Sequence, residues 1–511
     1  MTMPMIVDNS RTMKFAEELG LDSSFIINKL IHVRVGIAIS SNYYVTNNGR
    51  ITLEILLDII SRMYTDIVIE IDHDNQVSYE DLEYLINRIN SIGRNISYGN
   101  IDITNIRILI GDNFCNKKFH FYISSNGWEA YVSPVESDAK TLNNLNNPIG
   151  AAMAAALGAT EIFKYALKDE FDKIGRTLIF KPLRFSCFSY LSNEELKDNP
   201  ELPKEIHIDE ITMIGAGAVG MAFISVLQHL NLFGTITVID NDIVDSSNLD
   251  RYLGVYKDDL GNYKTHIICN RLKHLKNVKV MCHSGRYQRF TETYGRKIDI
   301  AICTVDNDDT RQELQCDLPR IILNGATGAS TYSVSRHNFL DDACLGCLYP
   351  IDPSKFLNEE KFAKMLGIPV GDFSHKYDNS IPLNNIEIQV ISQHINIPER
   401  IINQSKDVTL RDILTDHEVC GRYKLPNSTD IAGAVGFVSA IPGILLVGEV
   451  LKEKYFKSSV LRNTFHVDSL YGTSKHSYTL RTKLPKGECS CYCRDDIMIE
   501  IYKSKYIGIE E

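Results

Sequence analysis

The stretch EITMIGAGAVGMAFISVLQHL, residues 210–230, restricts the fold more than any other part of this chain. An apolar run of strand character passes through Gly215, Gly217 and Gly220 into a helical pattern. Glycine at these positions permits a tight turn and lets backbone amides and the helix amino terminus come close to a phosphate. Strand, GxGxxG loop and helix in that order predict a Rossmann-like α/β unit that binds its ligand at the carboxyl end of a parallel sheet. Alone, the motif favours a dinucleotide such as NAD or FAD.

The residues beyond this helix shift that preference. TITVID runs to Asp240 and KIDIAICTVDN contains Asp306, so each polar cluster comes just after a strand. VIDNDIVDSSNLDRY, Val238 to Tyr252, adds Asp242, Asn248 and Arg251, and Lys264 follows in DDLGNYKTH. A nicotinamide site has little use for such a set near its phosphates, whereas a triphosphate has. Arg251 as a planar fork and Lys264 as a point charge suit phosphate oxygens, and Asp306 suits magnesium. Solvated loop charges would explain any one of these residues more easily than all of them.

At 511 residues the chain exceeds one ordinary core. The charged stretch LSNEELKDNPELPKEIHIDE, with Pro200 and Pro203, reads as a linker. Before it, HVRVGIAIS, DIVIEID, NIRILIGD and FHFYISS read as strands, and ITLEILLDIISRMY and YEDLEYLINRINSI as helices. Alternation of this kind predicts a second α/β sheet, without a glycine-rich phosphate loop. The expected division is residues 1–190, a linker at 191–209, residues 210–495 with a helical insertion around 351–419, and a tail at 496–511.

A formal charge of −11 argues against nucleic acid or an anionic membrane as partner, since both select basic patches. No secretory signal pattern is visible, so the cytoplasm is the expected location. IAGAVGFVSAIPGILLVGEVL, residues 431–451, is about long enough to cross a bilayer of roughly 30 Å, but its glycines and Pro442 favour a buried core helix.

GAGAVG, VIDNDIVDSSNLDRY, DDLGNYKTH and TVDNDDTR together resemble the adenylation domain shared by ubiquitin-activating enzymes and the bacterial sulfur-carrier adenylyltransferases. The resemblance covers most of the chain from Ile211 to Cys493. It implies that Asp240 binds ribose with Asp242 beside it, that Asn248, Arg251 and Lys264 contact the phosphates, and that Asp306 coordinates magnesium. Tyr252 departs from the family, which usually has glutamine there. The family pairs two adenylation folds, as a homodimer or as an active and an inactive half in one chain. NNPIGAAMAAALGATEIFKYAL, residues 146–167, echoes the later apolar helix, so residues 1–190 are expected to be the inactive half. An arginine of that half often reaches the nucleotide, and Arg11, Arg34 and Arg50 are the candidates.

Twelve cysteines without secretory context read as thiols or metal ligands, not a disulfide framework. Cys344 and Cys347 form a CxxC, and Cys489, Cys491 and Cys493 cluster near the end, so two thiolate pairs could close a tetrahedral zinc site. Many family members carry zinc in this way; which of the late cysteines ligate stays open. Cys115, Cys187, Cys269, Cys282, Cys303 and Cys316 read as small apolar residues. Cys420 lies in the polar stretch just before the long apolar helix, where a thiolate could take an acyl group as a thioester. An inert loop thiol is the competing reading.

The resemblance therefore implies ATP- and magnesium-dependent adenylation of the carboxyl terminus of a ubiquitin-like protein, transfer to Cys420, and hand-over to a conjugating-enzyme-like partner. The alternative is adenylation of a sulfur carrier or peptide without an enzyme thioester. A nucleotide-binding scaffold and an NAD oxidoreductase rank below both.

Overall fold

The computed structural model describes residues 10–71, 79–112, 114, 117–135, 145–349, 362–378, 381–395, 397, 408–415, 434–461, 463–472, 477–479 and 492–507. By its contacts the chain divides into two compact units, one made of residues 1–349 with 432–511 and the other of residues 350–431.

The larger unit holds two sheets. Among the described residues the first has the strands β1 (Arg34–Ile39), β2 (Asp66–Ile71), β3 (Asn95–Tyr98), β4 (Ile106–Ile110), β5 (Phe121–Asn126), β6 (Glu129–Ser133) and β7 (Leu183–Ser186), in spatial order β3-β2-β1-β4-β5-β6-β7. The second has β8 (Ile206–Ile214), β9 (Leu232–Asp240), β10 (Val278–Ser284), β11 (Ile300–Cys303), β12 (Ile321–Thr327), β13 (Thr331–Asn338), β14 (Asn463–Asp468) and β15 (Tyr478–Thr479), in order β10-β9-β8-β11-β12-β13-β14-β15. In each, the first five strands in space run parallel and the next are antiparallel. Up to β7 and β14 the two orders are the same, each starting in the middle and crossing outward on both sides.

The likeness extends to the long helices. Pro148–Lys173 lies between β6 and β7, and Gly436–Tyr455 lies between β13 and β14. Both are apolar on nearly every face because both are buried on nearly every face. They meet across the unit, with the Phe163 and Phe437 rings 5.2 Å apart. Gly443 lets the second helix approach the Ala218–Leu227 helix, since a Cβ there would lie 2.6 Å from the Val219 carbonyl oxygen. Residues 434–451 of the apolar segment are thus core, and no described helix is long and apolar enough to cross a membrane.

Three details sharpen the sequence reading. β8 opens at Ile206, so the end of the 191–209 stretch is strand; its apolar Ile206 and Ile208 are buried. The tail forms a helix, Asp496–Tyr506, whose Tyr502 and Tyr506 hydroxyls donate to the carbonyls of Arg320 and Ile298 at 2.9 and 2.8 Å. Cys269 and Cys282 are joined in a disulfide, contrary to their reading as unpaired apolar residues. The Lys264–Leu272 helix and strand β10 bring them together from either side of the segment between, a proximity that spacing alone does not reveal.

The smaller unit contains the described helices Val370–Asp378, Asn385–His394 and Leu410–Thr415. Phe373, Ile391, Leu410 and Ile413 belong to its own small core.

Candidate functional site

The site forms where β8, β9 and β11 end side by side. Ile214 pairs with Ile239 and with Cys303, so Gly215, Asp240 and Thr304 emerge as neighbours. Gly215 has φ +94°, and a Cβ there would lie 2.9 Å from the Thr304 carbonyl carbon. A Cβ on Gly220 would lie 2.6 Å from the Gly215 carbonyl oxygen. The Thr304 hydroxyl donates to that same oxygen at 2.6 Å, which closes the turn. The Ala218–Leu227 helix starts at Gly217 without a side-chain cap, so its first amides are left to an anion.

Asp240 organises the adjoining backbone. Its carboxylate accepts the Ala216 amide at 2.6 Å and the Asp242 amide at 2.8 Å. Burial pushes its carboxyl up to about 6, with Asp242 adding to the shift and Lys264 and the two amides opposing it. Lys264 opens the Lys264–Leu272 helix, is buried, and donates to Asp242 Oδ2 at 2.7 Å. Burial works against its charge, yet Tyr252 and the Asp240 and Asp242 carboxylates hold it well above the usual lysine range.

Asn248 and Arg251 sit on the turn Ser246–Asp250 and just after it. Asn248 Oδ1 accepts the Asp245 amide at 3.2 Å while Asp245 accepts the Ser247 amide at 2.7 Å, a reciprocal cap that fixes the turn. Arg251 Nη1 donates to Asp250 Oδ1 and to the Ser247 carbonyl, both at 2.7 Å. Tyr252 lies between the cations, its ring centroid 5.0 Å from the Arg251 guanidinium and 5.5 Å from Lys264 Nζ. Its hydroxyl faces the glycine loop, 3.6 Å from where a Gly217 Cβ would be. The residue that breaks the family pattern is therefore at the centre of the cation cluster. Asp306 stands exposed beyond β11, one residue before Asn307 caps the Asp308–Cys316 helix.

One arginine of the first half also comes to this site. Arg11, on the Ser10–Glu18 helix, interacts electrostatically with Arg251, Asp250, Tyr252 and Asp306. Burial and Arg251 lower its pKa, and Asp250, Tyr252 and Asp306 oppose that. Its backbone amide donates to Asp250 Oδ2 at 3.0 Å. Arg34 instead pairs with Asp66 at the opposite end of β1, and Arg50 donates to Asn47. Sequence could name these three but not choose, because the choice depends on how the halves pack. Two further residues had no motif to announce them: Asp58 and Arg62, whose side chains bond to the Leu249–Tyr256 span.

Cys344, Cys347 and Cys493 converge, with Cys344 and Cys347 sulfurs 3.8 Å apart and Cys347 and Cys493 sulfurs 3.7 Å apart. Thiolates about 2.3 Å from a tetrahedral zinc lie about 3.8 Å from one another, so this donor set fits three corners of such a site. Cys489 and Cys491 lie outside the described residues, as does Cys420.

An open helix amino terminus, a carboxylate at the end of β9 and a cluster of cations at the switch point of a parallel sheet define a nucleotide-binding domain of the adenylation type. The chain belongs to the ThiF family: that family model matches residues 199–491, and a model described as the BilD N-terminal domain matches residues 60–180. It is thereby an ATP-using enzyme of the adenylyltransferase type.

Among curated proteins, the uncharacterized protein y4jF of Sinorhizobium fredii is 26% identical over 401 residues, 76% of this chain and 74% of that protein. The bacterial E1-like protein BilD of a Collimonas species is 26% identical over 247 residues, 45% of this chain and 51% of its own length. The NEDD8-activating enzyme E1 catalytic subunit of Caenorhabditis elegans is 30% identical over 130 residues, covering 25% of this chain and 30% of that subunit. The latter two are matched over only about half and a third of their lengths.

Proposed function

We propose that the chain uses ATP and magnesium to adenylate the carboxyl terminus of a ubiquitin-like protein and then carries that protein as a thioester on Cys420. A carboxylate oxygen attacks the α-phosphorus, the α–β anhydride bond breaks, and pyrophosphate leaves. The Cys420 thiolate then attacks the acyl carbon and AMP departs with the electron pair of the broken C–O bond. The thioester passes to a conjugating-enzyme-like partner.

Catalysis in the first step rests on positioning and charge neutralisation, with no side chain needed as base. Asp240 reads the ribose, the Gly215–Gly220 loop and the helix amino terminus receive phosphate, and Asn248, Arg251 and Lys264 complete the clamp. Asp306 offers its carboxylate to magnesium. Cys344, Cys347 and Cys493, with one of the two neighbouring cysteines, would hold a structural zinc that pins the carboxyl-terminal helix to the domain. The observation that carries the reading is the asymmetry of the halves: one keeps the anion site open, and the other, which resembles the BilD N-terminal domain, has it closed. Similarity to BilD, whose name marks it as E1-like, supports a ubiquitin-like substrate over a small metabolite.

The test is intact mass and non-reducing gel analysis after incubation with ATP, magnesium and host extract, wild type against Cys420→Ala. A thiol-labile protein adduct in the wild type alone is the expected result. Equal pyrophosphate release by both proteins without an adduct would replace this reading by adenylation of a carrier or peptide without an enzyme thioester.

A further inference from the structure

The span Leu249–Tyr256 carries Arg251, and its backbone is held from both halves of the chain: Arg271 Nη1 donates to the Leu253 carbonyl at 3.0 Å from its own half, and three further backbone groups are bonded by Asp58 and Arg62 of the other. Arg62 Nη1 donates to the carbonyls of Leu249 and Val255 at 3.0 and 2.9 Å, so one nitrogen bridges the two ends of the span. Asp58 Oδ2 accepts the Gly254 amide at 2.6 Å, and Asp58 Oδ1 accepts the Tyr256 hydroxyl at 2.9 Å. Gly254 has φ +70°, so the turn that aims this amide at Asp58 is one that glycine adopts readily.

The two side chains are also joined to each other, Arg62 Nη2 to Asp58 Oδ1, and Arg62 Nε donates to the Asp58 carbonyl at 3.1 Å. Arg94 Nη2 bonds to the Arg62 carbonyl at 3.1 Å, and Arg88 lies over the Tyr256 ring at 4.3 Å and pairs with Asp259. Arg62 is 0% exposed and Asp58 4%. A buried ion pair adds little stability over an apolar one of the same shape, because desolvation offsets its attraction. What it supplies is direction: three of these bonds end on backbone groups of the span that bears Arg251, the Leu249 and Val255 carbonyls and the Gly254 amide.

We propose that Asp58 and Arg62 are positioning residues for the nucleotide phosphates, acting across the two halves through Arg251. The leading half then contributes to the ATP site by fixing the span between Leu249 and Tyr256. This rests on the reading of the second half as the ATP site.

The test is calorimetric titration of the full chain with ATP and magnesium, and separately with AMP, for Arg62→Met, Arg62→Lys, Asp58→Asn, Arg251→Ala and the Arg62→Met/Arg251→Ala double variant. Arg62→Met should weaken ATP about tenfold and AMP less than about threefold, the scale on which neighbouring residues couple. Arg62→Lys should recover part of the loss, and the double variant should bind ATP no worse than Arg251→Ala alone. Equal losses for ATP and AMP, or a double variant showing the product of the single losses, would overturn the positioning role. If Arg62→Met does not fold, Asp58→Asn carries the same comparison, since it keeps the volume and removes the charge. Should Arg251→Ala bind ATP like the wild type, the reading of the site itself falls; loss in Arg251→Ala with none in Arg62→Met sinks only the positioning role.

Discussion

The two halves begin alike and diverge within a few residues of their first strand. After β8 the chain turns through Gly215 and starts a helix with no side-chain cap, leaving amides that an anion can take. After β1, Ser40 caps a short turn, Thr46 caps the Asn47–Ile60 helix by accepting the Gly49 amide at 3.0 Å, and Tyr43 is buried against Gly111. Gly111 follows β4 as Thr304 follows β11, so an aromatic ring fills the corner that faces the glycine loop in the second half. One architecture thus supports an open anion site when its amides are unpaired and a packed core when they are capped. The difference lies in loop chemistry, not in topology.

The largest way to break this contrast is Gly215→Val. With φ +94° and the Thr304 backbone 2.9 Å from its Cβ, a valine cannot hold the turn. ATP binding should fall by on the order of 10³-fold, since several phosphate-facing amides are lost together. Calorimetry with ATP and magnesium checks this, and circular dichroism checks that the fold survives. The converse change, Tyr43→Ala, should cost about 3 kcal/mol of stability in urea unfolding by leaving a cavity. It should create no ATP site in Arg251→Ala protein, because the Thr46 cap remains. Gain of ATP binding there would show that the ring alone closes the first half.

Lys264→Met should weaken ATP by about a hundredfold and AMP far less, in keeping with a charge aimed at the outer phosphates. A loss shared equally by AMP would mean that Lys264 serves chiefly to hold Asp242. The smallest effect expected is one of pH. The Asp240 carboxyl sits near 6, above its unfolded value, so the ionised form is the one the fold disfavours. Its contribution to stability therefore declines as pH rises from about 4 to about 6, while ribose recognition by the carboxylate grows over the same window. ATP affinity should fall by up to about tenfold per unit below pH 6, and Asp240→Asn should flatten that slope.

Much of this was readable from residues in order. The glycine loop, the acid ending β9 and the cations after it announce themselves because each depends on local chemistry: a strand end, a turn, a helix start. The doubled architecture was also foreshadowed, since the helices 148–173 and 436–455 share a composition that full burial imposes. The disulfide between Cys269 and Cys282, the placement of Arg11 beside Arg251 and Asp250, and the place of Tyr252 among the cations were not. Each depends on which surfaces meet.

The sequence by itself determined two α/β halves, a GxGxxG loop in only one of them, and the side chains that suit a nucleotide. Backbone conformation and short-range periodicity carry that information, and both are written within a few residues. Only the tertiary structure decided that Cys493 joins Cys344 and Cys347, and that Asp58 and Arg62 of one half grip the span bearing Arg251 in the other. Those contacts join residues far apart in the chain, and they are specified by the packing of two sheets and their helices, not by any motif.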